Sequence, residues 1–221
     1  MIRLHHCHQT RSMRTLWLLH ELGCDFEVQT YPFDDSQRSA AYRALHPAMR
    51  VPSLEIDGAV LWETGAIAQV LCERFPDSEM GREVGHPERA DWLVWVHFAE
   101  TMRAHAANLT QQHVMLFEDS MRSPIITKLE ARRLSKCYQV VSQYLDTRGG
   151  KAGSLLASGF SAADVAIGQA VYMGRHFAKL EPYPALSAWY HQITERPAFQ
   201  LSLPPEGEEI YAQAYYPELP V

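Results

Sequence analysis

Residues 50–67 read RVPSLEIDGAVLWETGAI. Ser53–Ile56 and Ala59–Trp62 are short strand-like runs. Asp57-Gly58 between them is a strong hairpin signal, because both central positions of a two-residue turn require positive φ. Val51-Pro52 precedes the hairpin and Glu63-Thr64 follows it, ahead of a run from Gly65 to Arg74. In that run Ala66, Ile67, Val70 and Leu71 recur at helical spacing, and Phe75-Pro76 closes it. Packing alone gives no reason to bracket one hairpin with Val-Pro and Glu-Thr. A ligand held at both ends would.

Upstream, Ile2–His6 reads as a strand and Ser12–Leu22 as a helix stopped by Gly23. Leu16, Trp17, Leu18, Leu19 and Leu22 cover most of that helix, which implies burial on more than one side. Phe26–Phe33 reads as a second strand, and Ser36–Leu45 as a short polar helix ending before Pro47. The order β-α-β-α-β-β-α implies one small mixed sheet, parallel through the strand-helix-strand unit and antiparallel through the hairpin. Residues 77–86 carry two glycines and several charges, as a linker does.

From Pro87 the pattern is helical. Trp92, Trp95, Val96, Ala99, Met102, Ala106 and Leu109 mark one face of a long helix. Pro124 opens a second helix, which runs to Gly149-Gly150. Ser161 opens a third, with Asp164 at N3 as in a capping box and Phe160 placed to meet Val165. Pro184–Arg196 is a fourth, interrupted by Pro197, and the tail from about residue 202 reads as extended. The fold class is therefore α/β followed by all-α: a first domain over 1–76, a linker over 77–86 and a helical domain over 87–221.

The 221 residues carry a net charge of −6 with both signs mixed. Nucleic-acid binding needs a basic face and is not expected; Arg132, Arg133 and Lys136 read as a solvated helix face. No apolar run approaches the ~20 residues of a membrane span, and the N-terminus lacks a signal-peptide core. Cys7, Cys24, Cys72 and Cys137 lie far apart, as expected of reduced thiols in a cytoplasmic protein. His6 and His8 share one face of the first strand's end and His5 takes the other, with no carboxylate at ligand spacing, so no metal site is expected.

TRSMRTLWLLHELG (Thr10–Gly23), VPSLEIDGAVLWETGAIAQVL (Val51–Leu71) and FSAADV (Phe160–Val165) stand in the order and at the separations of one family. The chain resembles the glutathione S-transferase superfamily, as a cytosolic, bacterial, serine-type-like member, along nearly its whole length. The resemblance implies a thioredoxin-like first domain that binds glutathione, a helical second domain and a two-fold homodimer. It implies a cis Val51-Pro52 bond, with the Val51 main chain, beside Arg50, pairing with the tripeptide backbone as in strand addition. It implies that Thr64, which reads as the N-cap of the following helix, takes the γ-glutamyl carboxylate and that Glu63 takes the ammonium.

The resemblance also calls for a hydroxyl or thiol facing the glutathione sulfur near the end of the first strand. Thr10, Ser12 and Cys7 are the candidates. Thr10 precedes Arg14 by the four positions that serine-type members show, and it sits where helix N–H groups favour an anion. A free thiol ionises near pH 8.5, so stabilising the thiolate by two units asks for about 2.7 kcal/mol. Cys7 offers mixed-disulfide chemistry instead, which would make the protein a thiol transferase; a module without catalysis is the other alternative. Met102, His105 and Leu109 are the expected contacts of the electrophilic second substrate.

Overall fold

The computed structural model describes residues 1–34, 39–148, 153–211 and 213–217. It forms two compact units, the first comprising Met1–Trp92 with Glu195–Ile210 and the second Leu93–Thr194 with Tyr211–Val221.

The first unit is built on a four-stranded sheet in the order β2-β1-β3-β4. Its strands are β1 (Ile2–His6), β2 (Glu27–Thr30), β3 (Ser53–Ile56) and β4 (Ala59–Trp62). β1 runs parallel to β2 and antiparallel to β3, with His5 opposite Ser53 and Leu4 opposite Leu54. β3 and β4 are the expected hairpin, and its turn has φ of 50° at Asp57 and 84° at Gly58. α1 (Ser12–Leu22) and α3 (Thr64–Arg74) pack on each other, and α1 packs on β1. Trp17, Leu19, Leu4, Leu54 and Ile67 are fully buried in this unit. α1 ends at Gly23, which takes the left-handed conformation at φ 62° as its position after the last turn requires.

Two elements are shorter than their patterns suggest. β2 covers only Glu27–Thr30 and is exposed throughout, because it is an edge strand paired with β1 alone. α2 covers Ala40–Leu45, with Ser39 Oγ accepting the Tyr42 N–H at 3.1 Å; positions 36–38 of the expected helix lie outside the described residues.

Residues 77–86 are not a loose linker. Arg82 is buried and donates to the carbonyls of Glu79 and Gly81, both at 2.7 Å. The Trp92 indole N–H donates to the Met80 carbonyl at 3.1 Å. Gly81 lies so close to α3 that a Cβ there would stand 2.7 Å from the Cys72 Cβ, closer than real contacts come.

Residues 195–210 return to this unit, which the single boundary expected near residue 76 does not anticipate. α8 (Pro197–Leu201) restarts the helical path at Pro197, where a proline at the first position costs no hydrogen bond. It packs against α1, the Phe199 and Trp17 rings meeting edge-on at 4.9 Å. Arg196 grips both oxygens of the buried Glu21 carboxylate at 2.7 Å, and Glu21 also accepts from the Trp17 indole at 2.9 Å.

The second unit is helical. α4 (Arg89–Thr110) passes from the first unit into it and ends in a π turn at Gln111–Met115, before α5 (Pro124–Arg148), α6 (Ala162–Gly174) and α7 (Pro184–Thr194). α7 packs on both α5 and α6. α6 is buried over its whole length and opens on the expected capping box of Ser161 and Asp164. The expected stop of α5 at Gly149-Gly150 lies outside the described residues. Among the described residues no helix is long and apolar enough to cross a membrane.

Candidate active site

The turn from β1 into α1 carries the three candidate nucleophile-facing residues, in three different settings. Cys7 is buried, 2 % exposed, and burial, with Asp34 adding to it, pushes its thiol up to about 11. Ser12 is fully buried and turned inward, its Oγ accepting the Cys7 N–H at 3.0 Å. Thr10 is half-buried. Its hydroxyl donates to the Cys7 carbonyl at 2.8 Å and lies 2.9 Å from Ser12 Oγ. Thr10 therefore stands outermost, with Ser12 directly behind it.

Val51-Pro52 is a cis peptide bond. Pro52 is buried and Val51 partly exposed. Among the described residues nothing hydrogen-bonds to the Val51 main chain, which lies just before the β1–β3 ladder begins. The preceding Arg50 carbonyl is pinned by the buried Tyr42, whose hydroxyl donates to it at 2.8 Å and also lies 3.4 Å from Ser53 Oγ. Nothing in the sequence marks Tyr42 for this part, since it reads as an ordinary helix residue.

At Glu63-Thr64 the structure corrects the expected cap. α3 begins at Thr64, and the cap position belongs to Glu63, whose side chain makes no capping bond. The reason lies in α1. The buried Arg14 donates from Nη1 to Thr64 Oγ1 at 3.2 Å, so the hydroxyl faces the guanidinium rather than a main-chain N–H. Glu63 itself is exposed and has φ 74°. A non-glycine residue rarely takes positive φ, and such conformations cluster where function requires them. The result is an exposed carboxylate at the mouth of a helix N-terminus, with a buried cation beneath. The Thr10-to-Arg14 spacing noted in the sequence thus links the start of α1 to the start of α3.

Of the residues expected to meet a second substrate, Met102 and Leu109 are fully buried and offer no exposed surface. His105 Nδ1 lies 2.7 Å from Glu130, which also accepts from Asn108 at 3.3 Å.

The returning segment adds residues that sequence reasoning missed. Gln9, with φ 49°, accepts the Ile210 N–H at 2.6 Å. Glu208 lies 3.5 Å from His8 Nε2. No local signal could have found either contact, because the partners lie about two hundred positions apart. Among the described residues no group of three metal-ligating side chains gathers.

A sequence model of the family described as "Glutathione S-transferase, N-terminal domain" matches residues 10–74. Glutathione S-transferase 3 of Schizosaccharomyces pombe is 25 % identical over 91 % of this chain and 86 % of its own length. Glutathione S-transferase 1 of Saccharomyces cerevisiae is 27 % identical over 91 % of this chain and 94 % of its own. Among solved structures, a glutathione transferase homolog from Lodderomyces elongisporus, holding two glutathione molecules per subunit, superposes with a TM-score of 0.80 at 21 % identity, covering 91 % of this chain and 96 % of that one. A sphingomonad glutathione S-transferase complexed with glutathione gives a TM-score of 0.71 at 25 % identity, covering 91 % and 96 %. The mixed four-stranded sheet, the match across its site-bearing turns and the relatives that align along nearly the whole chain together support membership of the glutathione S-transferase superfamily.

Proposed function

We propose that the protein is a glutathione transferase that binds glutathione in its first unit, stabilises the thiolate and directs it at an electrophilic small molecule. The observation that carries this reading is the arrangement at Glu63-Thr64. A carboxylate held out by a strained backbone, beside a helix N-terminus with Arg14 beneath it, suits a zwitterion. The γ-glutamyl end of glutathione is one: its ammonium meets Glu63, and its carboxylate meets the first-turn N–H groups and Thr64. The Val51 main chain, next to the pinned Arg50 carbonyl, offers the cysteinyl backbone a strand-like partner. Thr10 then supplies a donor to the sulfur. The gain comes from presenting an ionised nucleophile in a fixed place.

A thiol transferase working through Cys7 would need that thiol ionised and accessible, whereas burial holds it protonated. Of the second-substrate candidates, His105 is the one we retain, because Met102 and Leu109 lie fully inside. We place the protein in the cytoplasm as a homodimer, a state that sedimentation equilibrium would report directly.

The test is retention on immobilised glutathione, followed by thiolate absorbance and conjugation of a generic aryl halide. Thr10→Val is expected to keep binding S-methylglutathione, which has no thiol, while its thiolate fraction and conjugation rate fall about tenfold, the worth of one hydrogen bond to an anion. Failure to bind S-methylglutathione would overturn the glutathione reading. An unchanged thiolate in Thr10→Val would remove Thr10 from the sulfur.

A further inference from the structure

Behind Thr10 runs a row of side chains that glutathione binding does not by itself explain. Ser12 Oγ has four neighbours at hydrogen-bonding distance: the Cys7 N–H at 3.0 Å, the Cys7 carbonyl at 3.1 Å, Thr10 Oγ1 at 2.9 Å and His6 Nδ1 at 2.9 Å. The row continues from His6 Nε2 to His8 Nδ1 at 3.2 Å, and from His8 Nε2 to the Glu208 carboxylate at 3.5 Å. All five residues belong to the first unit. Ser12 and His6 are buried, His8 is partly covered and Glu208 is exposed. The row therefore leads from Thr10 to the surface.

Counting protons along it leaves two continuous arrangements. A hydroxyl has one proton to give and two lone pairs, and the Cys7 N–H occupies one lone pair of Ser12. In the first arrangement His6 carries its proton on Nδ1 and gives it to Ser12. Ser12 then gives its own to Thr10, and the Thr10 proton points away from the row, resting on the Cys7 carbonyl until a better acceptor arrives. In the second, His6 carries its proton on Nε2 and accepts from Ser12 at Nδ1. Ser12 must then accept from Thr10, whose proton is spent inward. His6 has a single proton to place: burial, with His8 adding to it and a Ser12 hydrogen bond opposing, pushes it down to about 3, so it is neutral near pH 7.

His8 decides between the two. A His8 that donates from Nδ1 fills His6 Nε2 and drives the His6 proton to Nδ1. A neutral His8 that spends its one proton on Glu208 does the reverse. A His8 carrying both protons serves Glu208 and His6 at once. Among the described residues the titratable groups meeting the His8 ring are His6 on β1 and Glu208 on the returning segment; the adjacent Cys7 thiol is held protonated by burial.

We propose that Glu208 and His8 are positioning residues that hold His6 protonated on Nδ1, so that Ser12 donates to Thr10 and the Thr10 proton is left to be given to the ligand's sulfur. This rests on Thr10 as the residue that faces the sulfur. Each donor in such a chain also strengthens the next.

The test uses the full chain with nitrogen-labelled histidine. In the wild type, nitrogen NMR at neutral pH is expected to show His6 protonated on Nδ1. In Glu208→Gln, which changes an exposed side chain, and in His8→Gly, the His6 proton is expected to move toward Nε2. The thiolate fraction of bound glutathione then falls about threefold, less than one full hydrogen bond, while S-methylglutathione affinity stays within error. Added imidazole is expected to restore the thiolate in a folded His8→Gly protein, where the missing ring leaves room for it; should that variant not fold, Glu208→Gln carries the test alone. A His6 proton on Nε2 in the wild type overturns the proposal without any ligand. So does an unchanged thiolate in Glu208→Gln when Thr10→Val lowers it. If Thr10→Val leaves the thiolate unchanged, the assignment of Thr10 has failed instead, and the histidine tautomers still decide the row.

Discussion

Replacing Asp164 by alanine tests the account of the helical unit most sharply. The carboxylate is fully buried and accepts the Leu155 N–H at 2.7 Å, the Ser161 N–H at 2.9 Å and the Trp189 indole N–H at 3.3 Å. The Ser161 hydroxyl, also within 3.3 Å, can rotate to another partner, but removing the carboxylate orphans three fixed N–H donors at about 1–3 kcal/mol each, or about 5 kcal/mol together. Burial opposes this by raising the carboxyl to about 6, despite those hydrogen bonds. Against about 3.9 in the unfolded chain, that difference makes the ionised form costly by about 3 kcal/mol. The net loss at about pH 7.5 is then about 2 kcal/mol. The folded pKa lies above the unfolded one, so the folded chain holds this proton more tightly. Its stabilisation is full below about pH 3.9 and is lost as pH rises through about 6. Lowering the pH to about 4.5 restores about 2 kcal/mol to the wild type and nothing to the variant, so the gap between them widens to about 4 kcal/mol. Urea unfolding of both proteins at the two pH values measures it. A gap that stays constant or narrows in acid would refute the reasoning.

Glu21→Gln is expected to cost about 1–3 kcal/mol, because a buried carboxylate held bidentately by Arg196 is replaced by an amide that cannot accept at both ends; thermal unfolding would report it. Cys7→Ala is expected to leave conjugation intact, and iodoacetamide at neutral pH to leave Cys7 and Cys72 unlabelled in the folded chain, since burial first of all pushes these thiols up to about 11 and about 12. Rapid labelling of Cys7 in mass spectra would contradict this. Thr64→Val removes the acceptor of Arg14 and a donor to the carboxylate, so S-methylglutathione affinity, read by calorimetry, is expected to fall about tenfold.

Much of this architecture was legible because it is encoded locally. The β3–β4 hairpin announced itself through Asp57-Gly58, α6 through Ser161 and Asp164, and α1 through Gly23, each a signal spanning a few residues. The edge strand β2 is shorter than its alternation suggests, because alternation does not report how many neighbours a strand has. Thr64 departs from its expected capping role for a related reason: the residue type is right for a cap, but Arg14, fifty positions earlier, claims the hydroxyl. On α4, apolar spacing marked Met102 and Leu109 without saying whether they line a cavity or fill a core. The grip of Arg196 on Glu21 spans 175 positions and left no local trace.

That return of residues 195–210 gives the first unit a discontinuous chain. Its sheet, hairpin and three helices are all synthesised within the first third of the protein, yet the Trp17 ring and the Glu21 carboxylate meet Phe199 and Arg196 only after the chain beyond Arg74 has been extended as far as Arg196 and Phe199. At elongation rates of about 5–20 residues per second, this leaves α1 without its cover for roughly 10–35 seconds. The unit that carries the candidate site begins to fold first and is completed last, and a fragment cut after α3 would retain the strands and turns of that site while exposing the apolar back of the helix that carries Arg14.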